Sequence, residues 1–297
     1  MPVNHDSASY VRFQLRAKLA AIRARGQRLR RPGRILHPDT ATREYGRHLV
    51  ALVNDLERLT RERVVAHLPE LALLAQHGKP KAVRDDMATI HDAWTDLFTH
   101  DFNWVRLEFG QAHTPAALKR MARMAGESVS VFNARQVAGS IGRVVEIDVV
   151  ANEPWLQTKL GEFVVQNTNL ITSLEDTAMS QVQTMAMQGL TQGRRWEDIA
   201  DDMHGRFDVA RSRADLIARD QVGKLNCQLT ELRQQDLGIT QYIWRGVGDA
   251  RERETHRENN DQTFSWDDPP AETGHPGEDV LCRCYAEPVI ESIDTDS

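Results

Sequence analysis

The sequence predicts a mainly α-helical protein with long helices and a small, loop-rich α+β module near its C-terminus. Apolar residues recur at steps of three and four along most of the 297 residues, which is the spacing of one helical face. Ala, Leu, Arg and Glu are frequent and aromatic residues make up only 6% of the chain, a composition that favours helix. Beyond Gly238 this periodicity gives way to turns rich in proline and glycine.

The helices predicted in the first half follow from this spacing. Val11, Leu15 and Leu19 share one helical face, and Pro69 is expected to kink or divide a second, longer stretch. Thr114 caps a helix that has proline at its first position. The resulting helices are residues 7–31, about 40–76, 81–100 and 114–140.

The second half begins with a change of character. Residues 144–150 are β-branched and partly alternating, which predicts a short strand or an extended connector. Gly238 then stops the last of a new series of helices, and a strand candidate follows it. The predicted elements are helices at 155–189, 196–207 and 209–237 and a strand at 239–245.

These elements predict a division of the chain into consecutive segments, because composition and periodicity change between them. We expect a basic N-terminal arm at 1–34, a helical domain at 35–141, a connector at 142–153, a second helical part at 154–238, the loop-rich module at 239–290 and a tail at 291–297.

The bulk composition excludes several classes of protein. A hydrophobic fraction of 40% is enough for one large domain or two ordinary ones, each with a core. No apolar run approaches the roughly 18 residues of a membrane span, and residues 1–6 lack the pattern of a signal peptide. Three cysteines make no disulfide framework. We expect synthesis in a cytoplasm and no membrane partner.

The charge of the chain is unevenly distributed. Residues 1–34 hold nine Arg or Lys and one acid, Asp6, a balance of +8. The rest of the chain therefore carries −14, which gives the net charge of −6. Clustered cations bind polyanions by releasing counterions, which predicts contact with DNA phosphates or an acidic protein surface. An ordinary solvated helix face is the alternative. The candidate contact residues are Arg12, Arg16, Lys18, Arg23, Arg25, Arg28, Arg30 and Arg31.

Two histidines and a Cys-x-Cys pair suggest a metal site in the terminal module. A loop-rich segment with few apolar residues cannot offset its ordering entropy by burial alone, so a metal is one candidate for holding it together. His256, His275, Cys282 and Cys284 form a possible tetrahedral set for structural zinc. Alternatively, the histidines bond to loop carbonyls and the reduced thiols pack as small hydrophobes.

A polar cluster accompanies these residues, and we expect its role to be structural. Asp249 and His256 could also form an acid–base pair or a nuclease-like metal site, which leaves a metal-dependent enzyme as the alternative. The chain lacks a glycine-rich phosphate loop, Gly-x-Ser-x-Gly and His-Glu-x-x-His, so we expect no catalysis. The cluster consists of Arg219, Asp220, Asp249, Arg251 and Arg253.

The order of motifs in the second half resembles the Mu F-like, or phage head-morphogenesis, family of minor capsid proteins. Two departures are visible: Asp220-Gln221 stands where the family often has Thr-Glu, and the interval from His275 to Cys282 is longer than usual. The matching motifs are Gly-Leu-Thr-Gln-Gly at 189–193, Trp-Glu-Asp-Ile-Ala at 196–200, Ala-Asp-Leu-Ile-Ala-Arg-Asp-Gln at 214–221, Asp-x-Arg-x-Arg-x-x-His at 249–256, His-Pro at 275–276 and Cys-Arg-Cys at 282–284.

This resemblance implies a role at the head of a tailed phage. Proteins of the family are minor components of the procapsid or virion that associate with the portal protein and in some cases with DNA. The resemblance therefore implies a place in the virion or procapsid interior after synthesis in the host cytoplasm. It also implies portal, capsid or scaffolding partners, non-specific contact with phage DNA, and action in head assembly, packaging or DNA ejection.

Overall fold

The computed structural model describes residues 8–77, 87–145 and 153–293, and within them helices dominate, which confirms the mainly α prediction. A π-helical turn, Arg61–Val65, joins the second and third helices, and a 3-10 turn, Ile290–Ser292, follows the last strand. The helices are α1 Ala8–Ala24, α2 Asp39–Thr60, α3 Ala66–His77, α4 Met87–Ala112, α5 Pro115–Val145, α6 Leu156–Thr191, α7 Trp196–Asp236 and α8 Glu254–Asn259. The strands are β1 Gln241–Arg245, β2 Thr263–Ser265 and β3 Tyr285–Pro288.

Helix α1 ends earlier than predicted because a glycine cap stops it. Gly26 has φ +62°, its N–H bonds to the carbonyl of Arg23, and the N–H of Gln27 bonds to that of Ile22. This is the Schellman arrangement, which satisfies the last carbonyls of a helix and turns the chain away. The helix therefore stops at Ala24, although we predicted that it would continue to residue 31.

Helix α7 is continuous where two helices were predicted. Met203, Phe207, Ala210 and Ala214 are buried at steps of four, three and four, so the same apolar face runs through Asp208. Neither glycine nor proline interrupts residues 206–222. The break that we predicted at residue 208 is wrong.

Three further boundaries differ from the sequence prediction. Pro69 lies inside α3 and does not end it. Helix α4 continues to Ala112, well past residue 100, whereas its predicted start at 81–86 lies outside the described residues. Val144 and Val145, the first residues of the predicted strand, form the buried end of α5. Residues 146–150 of that strand lie outside the described part.

The chain forms two compact units, each assembled from stretches that are distant in sequence. Unit 1 combines residues 1–43, 123–164 and 219–297, and unit 2 combines residues 44–122 and 165–218. Helices α5, α6 and α7 each contribute to both units. The compact units therefore join stretches that the sequence analysis kept apart.

Unit 2 contains polar pairs between its helices, one of them buried and another partly exposed. The Tyr45 hydroxyl donates to Asn167 at 2.9 Å inside the core. Glu57 accepts from Arg211 at 2.6 Å and contacts the His204 ring. Burial by itself would raise the pKa of Glu57, but the bonds from Arg211 and His204 outweigh it and hold that pKa below its usual range.

The N-terminal helix is part of the core of unit 1, which corrects the prediction of a separate arm. Val11, Leu15 and Leu19 are almost completely buried. They belong to a cluster that includes Ile141 of α5 and Ile293, close to the end of the described chain. Apolar burial of this kind is the main source of stability, so helix α1 is held by its apolar face and exposes its polar one.

A small antiparallel sheet carries the C-terminal module of unit 1. Its strand order is β2-β1-β3, so β1 pairs on both sides. Tyr242 lies opposite Phe264 of β2, and Trp244 lies opposite Ala286 of β3. Successive residues of a strand face opposite sides of the sheet, so the fully buried Tyr242 and Trp244 share one face. Among the described residues, no helix is long and apolar enough to cross a membrane.

The packing of α1 predicts a clear difference between two substitutions on that helix. Leu15 has no exposed surface, whereas Phe13 keeps 68% of its surface exposed. Leu15→Ala is expected to lower the free energy of unfolding by about 2–5 kcal/mol, because it leaves a cavity. Phe13→Ala, the matched control, should change it by less than about 0.5 kcal/mol. Denaturant titration measures both, and equal small effects would show that α1 is a separate arm.

Candidate metal centre and arginine cleft

An aromatic cluster on one face of the sheet holds His275 in place. The Tyr242 and Trp266 rings lie 4.3 Å apart, and the His275 ring is 5.0 Å from that of Trp266. Nδ1 of His275 is 2.9 Å from the Tyr242 hydroxyl. Burial lowers the pKa of His275, which favours the neutral ring. The predicted ligand His275 is therefore occupied by aromatic and hydroxyl contacts.

The other three predicted ligands meet at one buried point. Nδ1 of His256, from helix α8, lies 3.6 Å from Sγ of Cys282 and 3.4 Å from Sγ of Cys284. All three ligand atoms lie within 4.8 Å of one another, and the three residues are less than 9% exposed. The Trp244 ring contacts the His256 ring edge to face at 5.4 Å. The structure thus assembles a Cys₂His group without His275.

Two hydrogen bonds orient this group from outside. Nε2 of His256 lies 2.8 Å from a carboxylate oxygen of Asp279, and the Gly277 N–H donates to Sγ of Cys282 at 3.3 Å. The bond from Cys284 holds the pKa of the Cys282 thiol below its usual range, at about 6, while the same hydrogen bond, together with burial and the charge of Cys282, raises the pKa of Cys284. Such a thiol pair can carry one thiolate at neutral pH.

The backbone of the cysteine loop is held in an unusual conformation. Leu281, immediately before Cys282, has φ +57°, a left-handed conformation that costs energy for a residue with a side chain. Its N–H donates to Asp220 on helix α7 at 2.8 Å. At Gly277, with φ +96°, a Cβ would lie only 2.4 Å from the Cys227 side chain, so only glycine fits. These contacts position Cys282 beside His256.

Three members of the predicted polar cluster, Asp249, Arg251 and Arg253, lie along the same loop region, whereas Arg219 and Asp220 lie on helix α7. Asp249 accepts two bonds from Arg283, at 2.6 and 2.7 Å, and one from the Arg251 N–H. The Arg283 bonds lower the pKa of Asp249 to about 2. Arg253 donates to the Val280 carbonyl at 2.7 Å. The cluster ties residues 249–253 to residues 280–283 by charge-assisted bonds.

Arginines also line a cleft of about 620 Å³ in unit 1. Among its lining residues, Asp39 is the single acid, and Cys282 contributes to the wall. The arginine side chains are exposed at the surface. Such a concentration of cations attracts anions. The arginines are Arg34, Arg43, Arg219, Arg251, Arg253 and Arg283.

The cations of the first 34 residues fall into two groups. Arg31 bonds to the buried carboxylate of Glu287 at 3.1 Å, and Arg12 and Arg16 are half-buried. The other six are exposed: Arg34, which lines the cleft, and Lys18, Arg23, Arg25, Arg28 and Arg30. The second group retains the surface that a phosphate or carboxylate partner needs.

Glu287 on β3 joins the first residues of unit 1 to its sheet. Its carboxylate also accepts bonds from Arg245 on β1, at 2.8 and 3.0 Å. Burial alone would raise the pKa of Glu287, but the bonds from Arg245 and Arg31 outweigh it and keep that pKa below its usual range. Glu287 is therefore a buried anion compensated by two guanidinium groups.

Sequence reasoning missed Asp279, Glu287, Arg245 and the pairing of Arg283. Asp279 lies 23 residues from His256, and no spacing rule links a carboxylate to a histidine over that distance. No alternation marked Glu287 as buried, because Ala286, Glu287 and Pro288 of β3 are all buried. A charged residue on the buried side of a strand requires a partner.

Together, the fold and the site define a helical protein whose terminal module is closed by buried Cys and His side chains. Residues 180–287 match the model of the family described as Phage Mu protein F like protein. Residues 180–287 are thus similar to the Mu F-like phage protein family, as their motifs predicted.

A relative from Haemophilus influenzae, named only as an uncharacterized protein, is 35% identical to the chain over 163 residues. That match covers 54% of this chain and 36% of the relative, so the chain spans about a third of the relative's length. No solved structure matches the chain.

Substitution of Glu287 tests the buried ion cluster that it forms with Arg31 and Arg245. Glu287→Gln is expected to lower the free energy of unfolding at neutral pH by about 2 kcal/mol or more, because two guanidinium groups lose a buried counter-ion. Because the folded-state pKa of Glu287 is lowered, its contribution is complete above the unfolded pKa of about 4.3 and lost as the pH falls through the lower folded value.

Unfolding titrations across this pH range measure the difference between wild type and variant, which should shrink in acid. Glu291→Gln makes the same change at an exposed position nearby and should have almost no effect. A difference for Glu287→Gln that is independent of pH would contradict the assignment.

Proposed function

We propose that this chain acts as a minor head protein of a tailed phage, with a structural and non-catalytic role in head assembly, DNA packaging or DNA ejection. The observation that carries this proposal is the family match over residues 180–287, which covers helix α7 and the Cys/His-closed module. We propose the procapsid and virion interior as its location, and the portal protein and other capsid or scaffolding proteins as its partners.

The electrostatics of unit 1 support contact with an anionic partner. The chain has a net charge of −6, yet the cleft has six arginines against one acid, and five further cations of the first 34 residues are exposed. A concentration of cations on an otherwise acidic protein attracts polyanions to that region, while the acidic remainder repels them. We propose that this region contacts phage DNA without sequence preference, because phosphates alone would provide the binding energy.

The location of the protein provides a test of its role. We expect the protein in purified procapsids and virions at a low, constant number of copies per portal ring, as measured by quantitative mass spectrometry. A phage with the gene interrupted should yield fewer filled heads, and wild-type protein supplied in trans should restore them. Absence of the protein from both particles, with normal head yield in the mutant, would contradict the proposal.

The exposed cations provide a test of DNA contact. A variant with Lys18, Arg23, Arg25, Arg28 and Arg30 changed to Gln keeps the buried face of α1. We expect it to bind duplex DNA more weakly at low salt, with a flatter dependence of affinity on salt, because fewer counterions are released.

A control variant should change five exposed arginines of unit 2 to Gln: Arg47, Arg58, Arg61, Arg195 and Arg206. It carries the same net charge, so a general charge effect would weaken binding equally in both variants. Equal weakening, or none, would count against a DNA surface in unit 1. Fluorescence anisotropy with one labelled duplex at several salt concentrations measures both.

A further inference from the structure

We infer that His256, Cys282 and Cys284 bind one zinc ion, which His256 ligates through Nδ1 while Asp279 holds the ring from the opposite side. The zinc site is independent of the proposed role at the phage head. It differs from the set of four ligands expected from the sequence, because the structure places His275 among aromatic rings.

The distances between the ligand atoms fit a tetrahedral metal ion. Zinc bonds of about 2.3 Å to sulfur and about 2.0–2.1 Å to nitrogen at a tetrahedral angle put sulfur and nitrogen about 3.5 Å apart. Nδ1 of His256 lies 3.6 Å from Sγ of Cys282 and 3.4 Å from Sγ of Cys284. Both separations therefore match the edges of one coordination tetrahedron.

Nδ1 of His256 can accept a hydrogen bond from only one of the two thiols, and the Cys284 thiol also lies 3.9 Å from Glu252. A neutral imidazole nitrogen has a single lone pair, yet two thiol groups lie at hydrogen-bonding distance from Nδ1 of His256. A cation between the three atoms would accept the lone pair of Nδ1 and both thiolates at once. The thiolate ligands favour zinc over magnesium or calcium, which prefer oxygen.

The hydrogen bond on the other side of the His256 ring is also typical of a metal-bound histidine. Zinc-binding histidines usually donate their other ring N–H to a carboxylate or a carbonyl, which fixes the tautomer. Nε2 of His256 is 2.8 Å from Asp279, so an Nε2–H there leaves Nδ1 unprotonated and directed at the two sulfur atoms. The bond from the Gly277 N–H to Cys282 stabilises the charge of a thiolate ligand.

A reactive cysteine triad would need different surroundings. Cys282, His256 and Asp279 lie in the order of a nucleophile, a base and an orienting acid. However, Cys282 is only 8% exposed and Cys284 lies even closer to the same nitrogen.

Three protein ligands leave the fourth zinc position to a water molecule, so a strong chelator should be able to remove the ion.

Elemental analysis tests the inference directly. The full chain is produced without a metal-affinity tag, and its zinc is measured by mass spectrometry. We expect about one zinc per chain, and near-complete loss of zinc in the double variant Cys282→Ser/Cys284→Ser and in His256→Gln. His48→Gln changes a histidine at an exposed position in unit 2, away from the ligand group, and should retain the metal. His275→Asn, the second control, should also retain it.

Cobalt binding by the wild-type protein gives a measure that does not depend on whether the cysteine and His256 variants fold. Apo-protein of wild type, made with a chelator and titrated with Co²⁺, should show thiolate charge-transfer bands and the visible bands of a tetrahedral ion. In Asp279→Asn the stoichiometry should stay at one, while zinc affinity falls by about 10–100-fold in competition with a chromogenic chelator. Wild-type protein that is folded but gives neither zinc nor these cobalt bands would overturn the inference, as would unchanged affinity in Asp279→Asn.

Discussion

The C-terminal module depends on a row of polar side chains along one face of helix α7. Asp220, Cys227 and Gln234 are spaced seven residues apart, so they lie along one face at successive pairs of turns. They meet the module in the same order: Asp220 accepts from the Leu281 N–H, Cys227 donates to the Cys284 carbonyl and Gln234 donates to the Ala286 carbonyl. A segment with few apolar residues is thereby fixed to a helix through its own backbone. Because buried backbone groups must be paired, this row also determines the register of the loop against the helix.

The convergence of the three proposed zinc ligands follows from that register. The row fixes residues 281–286 against α7, so the two cysteine side chains lie at a fixed position along that helix. His256 comes from the other side, on α8, and its burial beneath the Trp244 ring brings Nδ1 to the sulfur atoms. The strained conformation of Leu281 is the cost of this placement, and the hydrogen bond to Asp220 offsets it. The departure of this chain from the usual Thr-Glu at 220–221 thus coincides with a residue that holds the cysteine loop.

Periodicity in the sequence predicted most of the fold, because one-sided burial leaves a mark at every third or fourth residue. The buried positions Val11, Leu15 and Leu19 were identified in this way. Periodicity did not reveal the partner of a buried face, so α1 was taken for an arm although it packs in a core. Of the four predicted metal ligands, three converge. The proximity of the two cysteines follows from their Cys-x-Cys spacing, and His256 joins them from α8. The position of His275 depended on an aromatic pocket formed by residues 33 and 9 positions before it, Tyr242 and Trp266, and no local pattern encodes such a pocket.

The charges of unit 1 show how binding surface and stability are separated within one region. Arginines that pair with buried carboxylates, as Arg245 does with Glu287, stabilise the fold, because leaving either charge unpaired in the interior would cost free energy. Arg283 occupies an intermediate position, since it holds Asp249 and also lines the cleft. Exposed arginines elsewhere in the cleft contribute little to stability, because solvent screens their interactions. Arg253 also bonds to the Val280 carbonyl, so the cleft arginines combine bonds within the fold with a cationic surface for the proposed anionic partner.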